Sequence, residues 1–289
     1  MTAQPTATAY TLADLLAVMQ RLRDPERGCP WDLQQDFASI APHTLEECYE
    51  LVDAIERGDF PQVREELGDV LFQVIFYAQL GREQQRFTFD ELVHGLVDKL
   101  LRRHPHVFPD ATIAEGGLHS GAAASATPVE LVGRNWERIK QDERAAKQQH
   151  GVLDDVPLAL PALSRAAKLQ KRAARVGFDW RDWRDVIEKM REEQAELIEA
   201  IERGDRDEIA AELGDLLFCG VNLARFLEVD PEAALRGCNQ KFERRFRFIE
   251  RALAGQGRVP AEASLEEMDA LWDAAKAEER SLDLSRRPV

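Results

Sequence analysis

One acidic pattern occurs twice in this chain, 146 residues apart. It reads EECYELVDAIERGDFPQVREELGDVLF over 46–72 and EEQAELIEAIERGDRDEIAAELGDLLF over 192–218. Each copy carries a Glu-x-x-Glu pair followed by a Glu-x-x-Asp pair. These are Glu47, Glu50, Glu66 and Asp69 in the first copy, and Glu193, Glu196, Glu212 and Asp215 in the second. Between the pairs stands an identical AIERGD, whose glycine can end one helix in the left-handed region and whose aspartate can cap the next. Residues three apart on a helix share a face. The pattern therefore predicts two antiparallel helix hairpins, one per half, each bringing four carboxylates to one depth.

The rest of the sequence fits that architecture. The 289 residues suit two domains of ordinary size, and 44% hydrophobic residues suffice for real cores. Ala, Leu, Glu and Arg dominate, aromatics make up 7%, and few stretches alternate as strands do, so the expected fold class is all-α. The similarity between halves extends beyond the acids. Lys99, Arg102 and Arg103 align with Lys241, Arg244 and Arg245, and WERIKQDER (136–144) aligns with WDAAKAEER (272–280). Upstream, LRDPERGCPWD (22–32) loosely matches QKRAARVGFDW (170–180). Small, polar residues at 111–128 predict a mobile loop, and prolines near 157–161 break helix. We accordingly expect domains at 1–154 and 155–289.

A net charge of −15 argues against a nucleic-acid groove. No apolar run is long enough to span a membrane or to serve as a signal peptide. Cys29, Cys48, Cys219 and Cys238 lack metal-ligand spacing; Cys48 and Cys219 read as buried free thiols, and a reducing cytoplasm fits.

A single Glu-x-x-Glu is usually a solvated helix face. Here the acids lie inside strongly apolar helices, where a carboxylate needs a partner or a metal. Four acids without a base among them repel one another unless hard cations intervene, and all-oxygen ligands suit Mg²⁺ or Mn²⁺. A di-iron bundle would need Glu-x-x-His, which none of these glutamates supplies. His104 and His106 lack companion ligands for zinc and read as capping or surface residues. There is no glycine-rich P-loop.

Taken with LRDPERGCPWD, TLEECYELVDAI, ELGDVLFQVIFYA, LQKRAARVGFDW and KFERRF, the paired acids resemble the full-length, two-domain MazG family of nucleoside triphosphate pyrophosphohydrolases, over residues 12–280. The resemblance implies two tandem helical-bundle domains in a Mg²⁺-dependent homodimer, with Mn²⁺ as a substitute ion. The implied reaction converts NTPs and dNTPs to the monophosphate and pyrophosphate with broad base tolerance. It also implies that the C-terminal half is catalytic, with metal ligands Glu193, Glu196, Glu212 and Asp215, and that the first quartet contributes little turnover. Lys189, Glu192, Lys241, Arg245 and Trp272 fall on the family's nucleotide-contacting positions. One departure is Ala211, which stands where the first copy has Glu65. A different class of function, a nucleotide-binding regulatory module with little turnover, would also account for two retained acid sets.

Overall fold

The computed structural model describes residues 9–108, 139 and 151–286, with side chains to 281 in the last helix. The expected loop at 111–128, and Trp136 and Lys140 of the first terminal repeat, lie outside the described residues. The chain divides into two compact units, Met1–Asp142 and Glu143–Val289. Among the described residues the secondary structure is helical, with no strand. The all-α expectation holds.

The first unit comprises α1 (Leu12–Leu22), α2 (Pro30–Gln34), α3 (Phe37–Arg57), α4 (Phe60–Glu83) and α5 (Phe89–Arg103). The second comprises α6 (Ala162–Ala174), α7 (Trp183–Arg203), α8 (Arg206–Phe226), α9 (Pro231–Ala254), a short 3₁₀ turn at Pro260–Glu262, and α10 (Leu265–Arg286). Each unit is organised around one long hairpin, α3 with α4 and α7 with α8.

The turn chemistry performs as its residues require. Gly58 ends α3 at φ +69° and Gly204 ends α7 at φ +72°, backbone values at which a β-carbon is strained. The next residue starts the return helix. The Asp59 carboxylate accepts the Gln62 amide, and the Asp205 carboxylate accepts the amides of Asp207 and Glu208. Two residues thus reverse the chain and fix the register of the acids on facing helices.

In the first unit, Met19 from α1, Ile40 from α3 and Ile75, Phe76 and Leu80 from α4 form the core, with Phe37, Tyr77 and Phe89 packed around it. Arg23, at the end of α1, is tied to Glu83 at the end of α4 (2.6 Å) and lies over the Phe76 ring. In the second unit Val186, Ala200, Val221, Ile249, Leu253 and Ala275 are buried. The Gln170 amide donates to the Phe218 carbonyl at 2.8 Å, joining α6 to α8.

Both hairpins leave one apolar face open. Ile55, Leu67 and Leu71 in the first, and Ile201, Leu213 and Leu217 in the second, are 41–57% exposed. Each of these pairs is separated by the same 146 residues, so the uncovered face belongs to the repeated hairpin itself. Two cysteines differ from expectation: Cys48 is exposed and Cys219 only half-buried, because each helix presents them off its innermost stripe.

Candidate metal centre

Within the second hairpin, α7 supplies Glu193 and Glu196 and α8 supplies Glu212 and Asp215. One carboxylate oxygen from each of Glu193, Glu196 and Glu212 lies within 4.8 Å of the others. Glu193 is 5% exposed, Glu212 half-buried and Glu196 exposed, so the group runs from the core to the surface. Asp215 stands outside this closest group, although its charge reaches Glu212. Burial of its charge, followed by repulsion from Glu196, Glu193 and Asp215, raises the Glu212 carboxyl above the ordinary carboxylate range.

The first hairpin assembles a related but different trio. Oxygens of Glu47, Glu66 and Asp69 come within 4.8 Å of one another, while Glu50 stands outside. Glu66 is the buried member, at 6% exposure, and accepts a hydrogen bond from the Gln62 amide at 3.0 Å. Burial, and then Asp69, Glu50, Glu66 and Glu46, push the Glu47 carboxyl upward. Each expected quartet therefore converges as three oxygens with a fourth acid alongside. The donor chemistry fits a hard divalent cation: the oxygens are anionic, closely spaced and individually unfavourable when charged together.

The nucleotide-contacting positions implied by resemblance fall into two contact groups. Lys189 lies on α7 one turn before Glu193, with its ammonium 2.7 Å from Glu192 and 2.8 Å from Glu193. Those hydrogen bonds, Glu192 first, raise its pKa above the ordinary lysine value. Arg245 on α9 and Trp272 on α10 form the other group. The guanidinium lies over the indole, 5.4 Å from its centroid, and donates to Glu279 at 2.8 Å. Phe242 packs beside the same indole at 5.3 Å. Lys241, one turn before Arg245, is exposed. The carboxylate that Arg245 meets is thus Glu279 and not an acid of the quartet.

Sequence reasoning missed Glu279 and Gln62 as partners. Glu279 was signalled by the terminal repeat, which places Glu143 at the same point of the first half. Gln62 carried no signal, because its counterpart in the second half is Glu208. The His104 ring caps α5, with Nδ1 2.7 Å from the Leu100 carbonyl, in keeping with a capping role.

The comparison with known proteins agrees with this geometry in both halves. The family model for the MazG nucleotide pyrophosphohydrolase domain matches residues 35–108 and again 183–247, which contain the two hairpins. A nucleoside triphosphate pyrophosphohydrolase of Escherichia coli is 49% identical over 270 residues, covering 93% of this chain and 98% of that protein. A nucleoside triphosphate pyrophosphohydrolase/pyrophosphatase MazG of Thermotoga maritima is 42% identical, covering 91% of this chain and 94% of its own length. With two hairpins, two acid clusters and relatives matched along nearly their whole length, this chain belongs to the MazG nucleotide pyrophosphohydrolase family.

Proposed function

We propose that this protein hydrolyses nucleoside triphosphates, ribo and deoxy, to the monophosphate and pyrophosphate in a Mg²⁺-dependent reaction, with Mn²⁺ able to substitute. The observation that carries this reading is the convergence of Glu193, Glu196 and Glu212 oxygens within 4.8 Å around a buried carboxylate. Such a cluster repels a triphosphate of about four negative charges unless divalent ions neutralise both sides. When bound, Mg²⁺ supplies that neutralisation and activates a water for attack on phosphorus.

The chain's own groups do the positioning. Glu193, Glu196, Glu212 and Asp215 would hold the ion, the first three from oxygens already within 4.8 Å of one another. Lys189 and Lys241 meet the phosphate tail, and Arg245 stabilises charge developing on the pyrophosphate that leaves. Trp272 offers a flat apolar surface to the base, which favours stacking over hydrogen-bond readout and hence broad base tolerance. Glu192 keeps Lys189 at the mouth of the site.

The working unit in this reading is a homodimer, since the open apolar faces of the hairpins need a cover of the same kind. The catalytic half is 155–289, and the first quartet contributes little turnover. Among the described residues no helix is long and apolar enough to cross a membrane. We place the enzyme in the cytoplasm, in nucleotide-pool housekeeping, without a nucleic-acid partner. A second reading, a nucleotide-binding regulatory module with little turnover, is favoured by the assembled acid trio in each of the two units. Incubation with the common NTPs and dNTPs plus Mg²⁺, resolving monophosphate and pyrophosphate from diphosphate and phosphate, decides between them. Release of pyrophosphate across several bases is expected; tight binding with no product would leave only the regulatory reading.

A further inference from the structure

The two acid clusters differ most in what accompanies the buried carboxylate. In the first unit Glu66 is met by a neutral amide, from Gln62. Among the described residues, the charges that most perturb Glu47 are Asp69, Glu50, Glu66 and Glu46, all acids. In the second unit Glu193 is met by an ammonium, from Lys189, at 2.8 Å. The position equivalent to Lys189, 146 residues earlier, is His43. Its ring faces the exposed Glu46 at 3.6 Å and packs edge-on to Trp31. Among the described residues, then, the ammonium on Glu193 has no counterpart at the equivalent acid, Glu47, whose matching neighbour is His43.

An ammonium on a buried carboxylate satisfies a charge that would otherwise be costly to bury. It also occupies an oxygen that a divalent ion would use. We propose that Lys189 is an internal counter-ion of the second cluster: it holds Glu193 while the metal position is empty, yields that carboxylate to an incoming divalent cation, and is then free to pair with an anionic phosphate. The inference rests on the metal-dependent reading above and deepens it. The geometry includes the pivot such an exchange needs. Lys189 shares its ammonium between buried Glu193 and solvent-facing Glu192, at 2.8 and 2.7 Å. Release from Glu193 therefore leaves the lysine anchored at the edge of the cluster. Lys189 is a positioning residue in this role, and the cluster passes from one cation to another without leaving the buried acid uncompensated.

The consequence runs opposite to that of a structural support. A residue that merely orders the site should weaken metal binding when removed. A competing cation should strengthen it. The test is calorimetric titration of the full chain with Mn²⁺ alone, no nucleotide present, in a Glu66→Gln, Asp69→Asn background so that only the second cluster responds. Lys189→Met is expected to bind Mn²⁺ about tenfold more tightly, as a unit positive charge beside the ion is lost. Lys189→Arg, which keeps that charge, is expected to stay within about twofold of the parent. Lys189→Gln, read the same way, stands in if the methionine variant does not retain helical circular dichroism. Unchanged or weaker Mn²⁺ binding in the neutral variants, or an arginine variant that matches them, overturns the proposal. Hydrolysis by the unmodified protein is scored separately, so a failure of the functional reading is not confused with a failure of the counter-ion.

Discussion

Replacing Glu193 by Gln separates stability from function, because the same side chain is both a buried charge and the innermost member of the cluster. Glu193 is 5% exposed, and its partner Lys189 retains 29% side-chain exposure. Losing that charge-assisted contact costs about 1 kcal/mol after discounting for the solvent that reaches the lysine. Relief from Glu196 and Glu212, whose oxygens lie within 4.8 Å, acts in the other direction. Metal-free, the variant should therefore unfold within about 3 °C of the parent, a shift of roughly 1 kcal/mol for a unit of this size. With metal the two diverge. At a hundredfold excess over Kd, Mg²⁺ contributes about 2.7 kcal/mol to the parent. That corresponds to a rise of about 8 °C in the second unit's transition. The variant, lacking its buried ligand, should show almost none of it and lose at least about a hundredfold in turnover. Differential scanning fluorimetry with EDTA or Mg²⁺, in the Glu66→Gln, Asp69→Asn background, reads the first quantity, and pyrophosphate release in the same samples reads the second. A variant that keeps the parent's Mg²⁺ shift, or turns over within tenfold of it, refutes the assignment of Glu193.

The background itself carries a prediction: Glu66→Gln with Asp69→Asn should leave most pyrophosphate release intact, and a collapse would move catalysis into the first unit. Lys241→Ala should raise KM, lower kcat or both in steady-state assays, since the exposed lysine has phosphate as its assigned partner. At the first unit's edge, burial works against ionisation of Glu83, but hydrogen bonds from Arg23 and Gln79 outweigh it and hold the carboxyl below its usual value. Its stabilisation is present above the unfolded-state pKa and is lost as pH falls through the folded value. Glu83→Gln should thus lower the thermal midpoint at pH 7, and the gap to the parent should narrow as pH falls below the ordinary carboxylate range. Gly204→Ala places a β-carbon at φ +72° in otherwise open space, so strain alone should cost about 1 kcal/mol in urea unfolding.

The hairpins were legible because their information is local. Gly58-Asp59 and Gly204-Asp205 specify a reversal through backbone conformation and capping, and a period of three sets each acid pair on one face. Those constraints act through short, stiff pieces of chain, so a one-dimensional pattern records them. The choice of which acids converge is not of that kind. In the second hairpin Glu212 joins Glu193 and Glu196 while Asp215 stands aside; in the first, Asp69 joins Glu47 and Glu66 while Glu50 stands aside. Identical spacing yields different trios because rotamers of long side chains answer to their neighbours, an amide from Gln62 in one unit and an ammonium from Lys189 in the other. Arg245 makes the same point: its helix and spacing were readable, but its engagement with Glu279 and Trp272 depends on how α10 packs against α9. The difference between the halves therefore lies less in the repeated acids than in the unrepeated residues touching them. Exchanging the two residues at the equivalent helix position, His43→Lys together with Lys189→His, should move the counter-ion between clusters while leaving both hairpins folded. Mn²⁺ titration of that double variant should show the second cluster tightened and the first weakened, and an unchanged order of affinities would show that the acids alone decide.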